Sequence, residues 1–148
     1  MTALFDAHNH LQDPRLHPFL PRIVEGLAAA GVERCVVNGT SEADWPTVAA
    51  LARDHPELVI PSFGLHPWRA HERSPDWLDR LQRQLDRFEP VGIGECGLDR
   101  WMKNPDLEDQ RAVFEAQLAL AAERNLPVSI HCLRAWGPLL ECLREQDL

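Results

Sequence analysis

Apolar positions along the chain follow two alternating rhythms. Short β-rich runs at Leu4–Leu11, Arg34–Asn38, Val59–Leu65, Val91–Cys96 and Val128–Cys132 read as strands. The segments VVN, VGIG and VSI are short, apolar and β-branched, as buried parallel strands tend to be. Longer amphipathic stretches lie between them. His17–Ala30 predicts a helix ended by Gly31 at C′. Ser41 opens a helical region reaching about Asp54, with Pro46 in its first turn. Ser74 and Pro75 predict an N-cap and N1 pair for a helix reaching Phe88. Leu107–Arg124 is strongly helical, with Val113, Phe114, Leu118 and Ala121 on one face, and a last helix runs from about Ala135 to Arg144.

Strand followed by helix, repeated five times, predicts an α/β fold built of βα units on a parallel sheet. Periodicity alone does not separate a doubly wound sheet from a barrel. The dinucleotide-binding version is disfavoured, because no GxGxxG follows the first strand. No linker or low-complexity segment interrupts the 148 residues, so one domain over residues 1–148 is expected.

Composition narrows the class. The chain is 45% hydrophobic and 26% charged, as in globular proteins, and no apolar run is long enough to span a bilayer. MTALFDAHNHL lacks the basic and apolar regions of a secretion signal, so a cytoplasmic location with no membrane partner is expected. Of the four cysteines, Cys35, Cys96 and Cys132 fall in strands and Cys142 in a helix; none has CxxC spacing, and reduced core thiols are the expectation. The net charge of −8 argues against a broad nucleic-acid surface held by counterion release. Any nucleic-acid contact is expected at a small site dominated by bound cations.

The chemistry-bearing residues fall at strand ends, where βα folds place their sites. His8 and His10, two apart on a strand, point to the same face and can grip one divalent ion. Glu95 closes an otherwise uncharged strand among Gly92, Gly94 and Gly97, and a carboxylate there needs a cation, a proton or an ion pair. His131 ends the fifth strand. Together they offer three nitrogens and a carboxylate, suited to zinc, manganese or a mixed two-metal site. His66, at the end of the third strand, is expected in a substrate or supporting role, and Asp99 to orient a ligand or a water.

These residues resemble the TatD-like metal-dependent hydrolases. The resemblance rests on DAHNHL at 6–11, FGLHPW at 63–68, GIGECGLD at 92–99 and FEAQLALAAERNLPVSIHC at 114–132, in that order across essentially the whole chain. It implies a TIM-type (β/α) barrel, here partial, with about five parallel strands and helices outside. The implied activity is hydrolysis of phosphate esters, as a deoxyribonuclease acting on DNA or a small phosphodiester. Two divalent ions (Zn, Mg or Mn) are implied as cofactors. His8 and His10 would hold the first, Glu95 would bridge both, and His131 would hold the second. Glu95 and His66 would be the catalytic residues, and His66, Asp99 and Arg134 would face the substrate.

The chain departs from the family pattern at several points. Gln12 stands where an Asp often follows the HxHL motif, Arg100 replaces the usual aromatic after GLD, and Leu133 displaces the usual arginine to Arg134. The lysine-bridged amidohydrolases fit less well, since the sole lysine, Lys103, falls in a loop. A complete barrel has eight strands over roughly 250 residues, and the family takes a further His and an Asp from the sixth and eighth. A five-stranded version is expected to be truncated and to expose an edge through which it self-associates or takes a partner chain. Two other outcomes follow from the same residues: a non-catalytic, partner-dependent barrel, or a metal hydrolase of a carboxamide, lactone or phosphomonoester.

Overall fold

The computed structural model describes residues 3–146. Five strands, β1 (Leu4–Asn9), β2 (Val32–Asn38), β3 (Val59–Phe63), β4 (Gly92–Asp99) and β5 (Val128–Leu133), pair in parallel in the order β1-β2-β3-β4-β5. The helices between and after them are α1 (Leu20–Ala29), α2 (Trp45–Asp54), α3 (Trp77–Leu85), α4 (Leu107–Arg124) and α5 (Trp136–Glu145). The βα alternation is the one the apolar rhythm predicts.

The sheet is curled. In a flat sheet with strands about 4.8 Å apart, β1 and β4 would lie about 14 Å from each other. Instead the Nε2 atoms of His8 and His10 approach a Glu95 carboxylate oxygen at 3.2 and 3.1 Å. β1 and β4 therefore turn their site-bearing side chains toward one concave face, as in a partial (β/α) barrel. β5 does not pair with β1 among the described residues, so both edges are open. Leu4 and Phe5 on β1 are 49% and 56% exposed and Ile130 on β5 is 39% exposed, in contrast to β4, buried along its whole length.

The core lies between the sheet and the helices that pack on it. Trp45, Phe63, Phe114, Leu65, Leu81, Ile93, Leu98 and Leu118 fill it. Burying each such side chain stabilises the fold by roughly 1.5–3 kcal/mol. The apolar face expected of α4 is the one that is buried, with Val113, Phe114, Leu118 and Ala121 all inside. The Asp106 carboxylate caps its N-terminus by accepting from the Asp109 N–H, and Asn125 ends it in the left-handed region.

Several boundaries differ from the sequence expectation. Ser74 does not cap α3: its backbone N–H and hydroxyl both donate to the Glu42 carboxylate, and the helix starts later, at Trp77. The segment expected as one helix from His17 is a 3-10 turn, His17–Phe19, followed by α1 from Leu20, and Pro18 and Pro21 mark the two starts. β4 runs to Asp99 rather than Cys96, because its register with β5 extends to the Asp99–Leu133 pair. Glu95 thus stands inside β4 rather than closing it. β1, in turn, stops at Asn9, leaving His10 just past the strand.

Gln117 ties α4 to the segment that follows β3. Its Oε1 accepts from the Leu65 N–H at 2.8 Å, and its amide nitrogen donates to the carbonyls of Leu65 and Val113 at 3.3 and 3.1 Å. The side chain is fully buried. Gln117→Leu keeps the volume but strands a buried N–H and carbonyl one residue before His66. It should lower stability in urea by about 1–3 kcal/mol. An unchanged midpoint and slope would show that this bridge carries no stability.

Candidate metal centre

β1 with the residue after it, β4 and β5 bring His8, His10, Glu95 and His131 together, and the chain after β3 adds His66. The His8 and His10 Nε2 atoms are 3.3 Å apart, and each is within 3.2 Å of Glu95 Oε2. Ligand atoms about 2.0–2.1 Å from a zinc-like ion at the tetrahedral angle stand about 3.3 Å from one another. The donor set and its spacing therefore fit one divalent cation. On the other Glu95 oxygen, Oε1, His131 Nδ1 approaches at 3.1 Å and His66 Nε2 at 3.6 Å. A single carboxylate is thus flanked by two separate groups of imidazoles.

The hydrogen bonds at the far side of each ring assign its tautomer. His10 Nδ1 meets the Asn38 carbonyl at 2.9 Å. A carbonyl only accepts, so Nδ1 carries the proton and Nε2 turns a lone pair toward the cluster, as a metal ligand must. Gln12 donates to the same carbonyl at 2.5 Å, so the residue that departs from the family pattern sits behind His10. His66 is arranged the other way. Its Nδ1 accepts from the Trp68 backbone N–H at 3.2 Å, which leaves the proton on Nε2, the atom that faces Glu95. His66 therefore presents a donor rather than a lone pair, and proximity alone does not make it a ligand.

His131 lies between two carboxylates, with Nδ1 on Glu95 Oε1 and Nε2 3.0 Å from Asp99 Oδ2. A neutral ring can donate to only one of them. The other nitrogen needs a second proton or a cation. Hydrogen bonding to Glu95 accordingly raises the His131 pKa above the ordinary histidine value, against burial, with Asp99 adding to the effect. His10 is raised in the same way by Glu95, against burial and with help from the Asn38 carbonyl. Burial alone would push the Glu95 carboxyl up, but hydrogen bonds from His10, His131 and His66 outweigh it and hold it far below the usual carboxylate range.

Asp99 is fully buried and has no free oxygen. Oδ2 accepts from His131 and from the Trp68 indole N–H at 2.6 Å, and Oδ1 accepts from the backbone N–H groups of Trp101 and Met102 at 2.7 and 3.1 Å. It is placed to orient His131, the orienting role its position suggested, rather than to face a substrate as the family resemblance implied. Arg134, also expected to face the substrate, lies with its guanidinium 4.4 Å over the Trp101 ring. Among the described residues it makes no ion pair with the cluster. Asn38 and Trp68 were not identified from sequence as parts of the site. An Asn ending a buried strand carries no distinctive signal, but Trp68 stood inside the quoted FGLHPW motif. Cys35, Cys96 and Cys142 are buried free thiols, as expected, and Cys132 is partly buried.

Among the described residues, no helix is long and apolar enough to cross a membrane. A family model described as TatD related DNase matches residues 5–148. The 3'-5' ssDNA/RNA exonuclease TatD of Erwinia tasmaniensis is 34% identical over 141 residues, covering 95% of this chain and 54% of the relative. The uncharacterized metal-dependent hydrolase YjjV of Escherichia coli K12 is 32% identical, covering 100% of this chain and 58% of its own length. The crystal structure of that TatD homolog superposes with a TM-score of 0.90 at 31% identity, over 98% of this chain and 56% of the other. The chain thus spans about half the length of these relatives.

Because His10 and His131 hold protons more tightly than an ordinary histidine, a divalent ion must displace those protons to bind. Zinc affinity should fall as the pH drops, starting above the usual histidine value of 6.5. Binding should also release protons. Titration calorimetry in buffers of differing ionisation enthalpy measures both, and a pH-independent affinity without proton release would exclude these imidazoles as ligands.

Proposed function

The chain belongs to the TatD related DNase family, and from that premise we propose that it is a divalent-metal-dependent phosphodiesterase acting on single-stranded nucleic acid. The observation that carries the reading is the convergence of imidazoles from separate strands on the two oxygens of one buried carboxylate. A hydrolase built on a carboxamide or lactone would need an acyl substrate; the nuclease name borne by the Erwinia relative favours a phosphodiester.

In this reading His8, His10 and Glu95 would hold one divalent ion, and Glu95 and His131 would hold a second. Bound there, divalent cations supply Lewis acidity toward a phosphoryl oxygen and a water acidic enough to attack near neutral pH. The remaining work belongs to the side chains. The Asn38 carbonyl fixes His10 as an Nε2 ligand. Asp99 accepts a hydrogen bond from the His131 Nε2–H and so leaves a lone pair on Nδ1. His66 turns its Nε2–H toward the same space and donates to a phosphate oxygen, where it stabilises charge as the bond to phosphorus forms. His8 and His10 are 42% and 38% exposed while His66 is 8% exposed, so His66 lies deeper in the site than the two imidazoles on the β1 side.

A second reading is favoured by the exposure of Leu4, Phe5 and Ile130 on the two edge strands. There His8, His10, Glu95 and His131 would still hold metal, but turnover waits until a second copy or a partner chain covers the open edges. Solution mass measured alongside turnover separates the two: an active monomer excludes the partner-dependent reading.

Two substitutions test the assignment. Glu95→Gln keeps the shape but removes the charge shared by both groups, so divalent metal should be absent by elemental analysis and hydrolysis of a single-stranded oligonucleotide abolished. Asp99→Asn, one step removed from the metal, should lower metal affinity or turnover by about 10–100-fold. Full metal content and turnover in Glu95→Gln would sink the proposal.

A further inference from the structure

Trp68 is held by a hydrogen bond beside the carboxylate–imidazole cluster, yet much of its side chain is open. Its indole N–H donates to Asp99 Oδ2 at 2.6 Å, a fully buried carboxylate that also holds His131. Its ring meets His66 at 5.0 Å between centroids and 75° between planes, and His131 at 6.2 Å and 68°. Both contacts are edge-on. Among the described residues no aromatic ring lies parallel to it and no cation covers it, and the side chain remains 54% exposed. A large apolar ring left this accessible, with its orientation fixed by hydrogen bonding to a buried acid, is preorganised to receive another flat surface.

The other exposed tryptophans are placed differently. Trp101 is 63% exposed, but the Arg134 guanidinium already occupies a face of its ring. Trp136 is 64% exposed on α5 and makes no contact with the cluster residues among the described aromatic pairs. Charge bears on the choice as well. A chain of net charge −8 has little long-range attraction to offer a polyanion. Affinity for a single strand must then come from bound cations at the phosphate and from the bases. Base–aromatic stacking is sequence-tolerant and worth about 1–3 kcal/mol per base.

We infer that Trp68 is a stacking subsite for the unpaired nucleobase adjoining the phosphate that the Glu95 cluster engages. This rests on the phosphodiesterase reading above. Trp68 then has two parts: the indole N–H positions Asp99, and the ring face binds the base. Selection at this subsite is for a flat base of any identity, and a base held in a duplex by its pairing partner is a poorer occupant than a free one.

The test compares binding of two labelled single-stranded oligodeoxynucleotides, one fully based and one abasic at the 3' terminal residue. It uses the full chain with and without added zinc or manganese, with turnover recorded in parallel. The wild type should bind the based strand about tenfold more tightly. Trp68→Ala should remove that preference, and Trp68→Phe should keep most of it, because the ring survives although the N–H to Asp99 is lost. If Trp68 only props Asp99, both variants will weaken both strands equally. That result, or equal wild-type affinity for the two strands, overturns the stacking subsite while measured turnover leaves the phosphodiesterase reading standing. Absence of both binding and turnover on either strand overturns that reading, and the subsite with it.

Discussion

The arrangement hinges on one buried charge. Glu95 lies in the middle of a strand that is buried along its whole length, where an uncompensated carboxylate would cost several kcal/mol. Four imidazoles, from β1, the segment after β1, the segment after β3, and β5, close around it. None of these elements is a sequence neighbour of Glu95. The carboxylate is compensated only when the sheet has curled and the strands are in register, so site assembly and fold completion are the same event. Imidazoles can offer that compensation either as imidazoliums or as ligands to a shared cation. The raised proton affinities of His10 and His131 represent the first state, and the lone-pair orientation of His10 prepares the second.

The backbone of β4 makes this packing feasible. Gly94 and Gly97 flank the acid at φ +134° and +144°, conformations that side-chain-bearing residues rarely adopt. A Cβ at either position would collide with β5, at the Ser129 carbonyl oxygen for Gly94 and at that of His131 for Gly97. The register between β4 and β5 is irregular between Ile93 and Cys96, where the acid is presented. The glycines thus let the neighbouring strand close on Glu95 and bring His131 within hydrogen-bonding distance of both acids.

That explains why so much was legible from sequence. The βα alternation, the extent of α4, and the gathering of His8, His10, Glu95 and His131 all follow from apolar period and from polar residues interrupting strands. What stayed hidden depends on tertiary competition. Ser74 has the chemistry of a helix cap, but Glu42, distant in sequence, takes both its donors. Asp99 could be expected to orient a ligand, but only the folded chain shows which one and that its oxygens are taken up by Trp68, His131 and two backbone N–H groups. Arg134 was counted by its place after β5, but a guanidinium goes where its cation–π partner lies, here Trp101.

The same logic distinguishes two histidines of identical chemistry. His10 and His66 both face Glu95, and composition offers no way to separate them. Their partners on the opposite ring nitrogen do: a carbonyl behind His10 forces the proton away from the cluster, while an amide N–H behind His66 forces it inward. The backbone thereby turns a lone pair of one imidazole and an N–H of the other toward the carboxylate. The motif FGLHPW accounts for the second assignment directly. His66 and Trp68 are two residues apart in one tight segment, and the N–H that sets the His66 tautomer is the backbone amide of Trp68, whose indole reaches across to Asp99. One short loop therefore sets a donor in the site, steadies the carboxylate behind His131, and leaves an exposed aromatic ring beside the cluster, so changes in its conformation would be felt at all three places together.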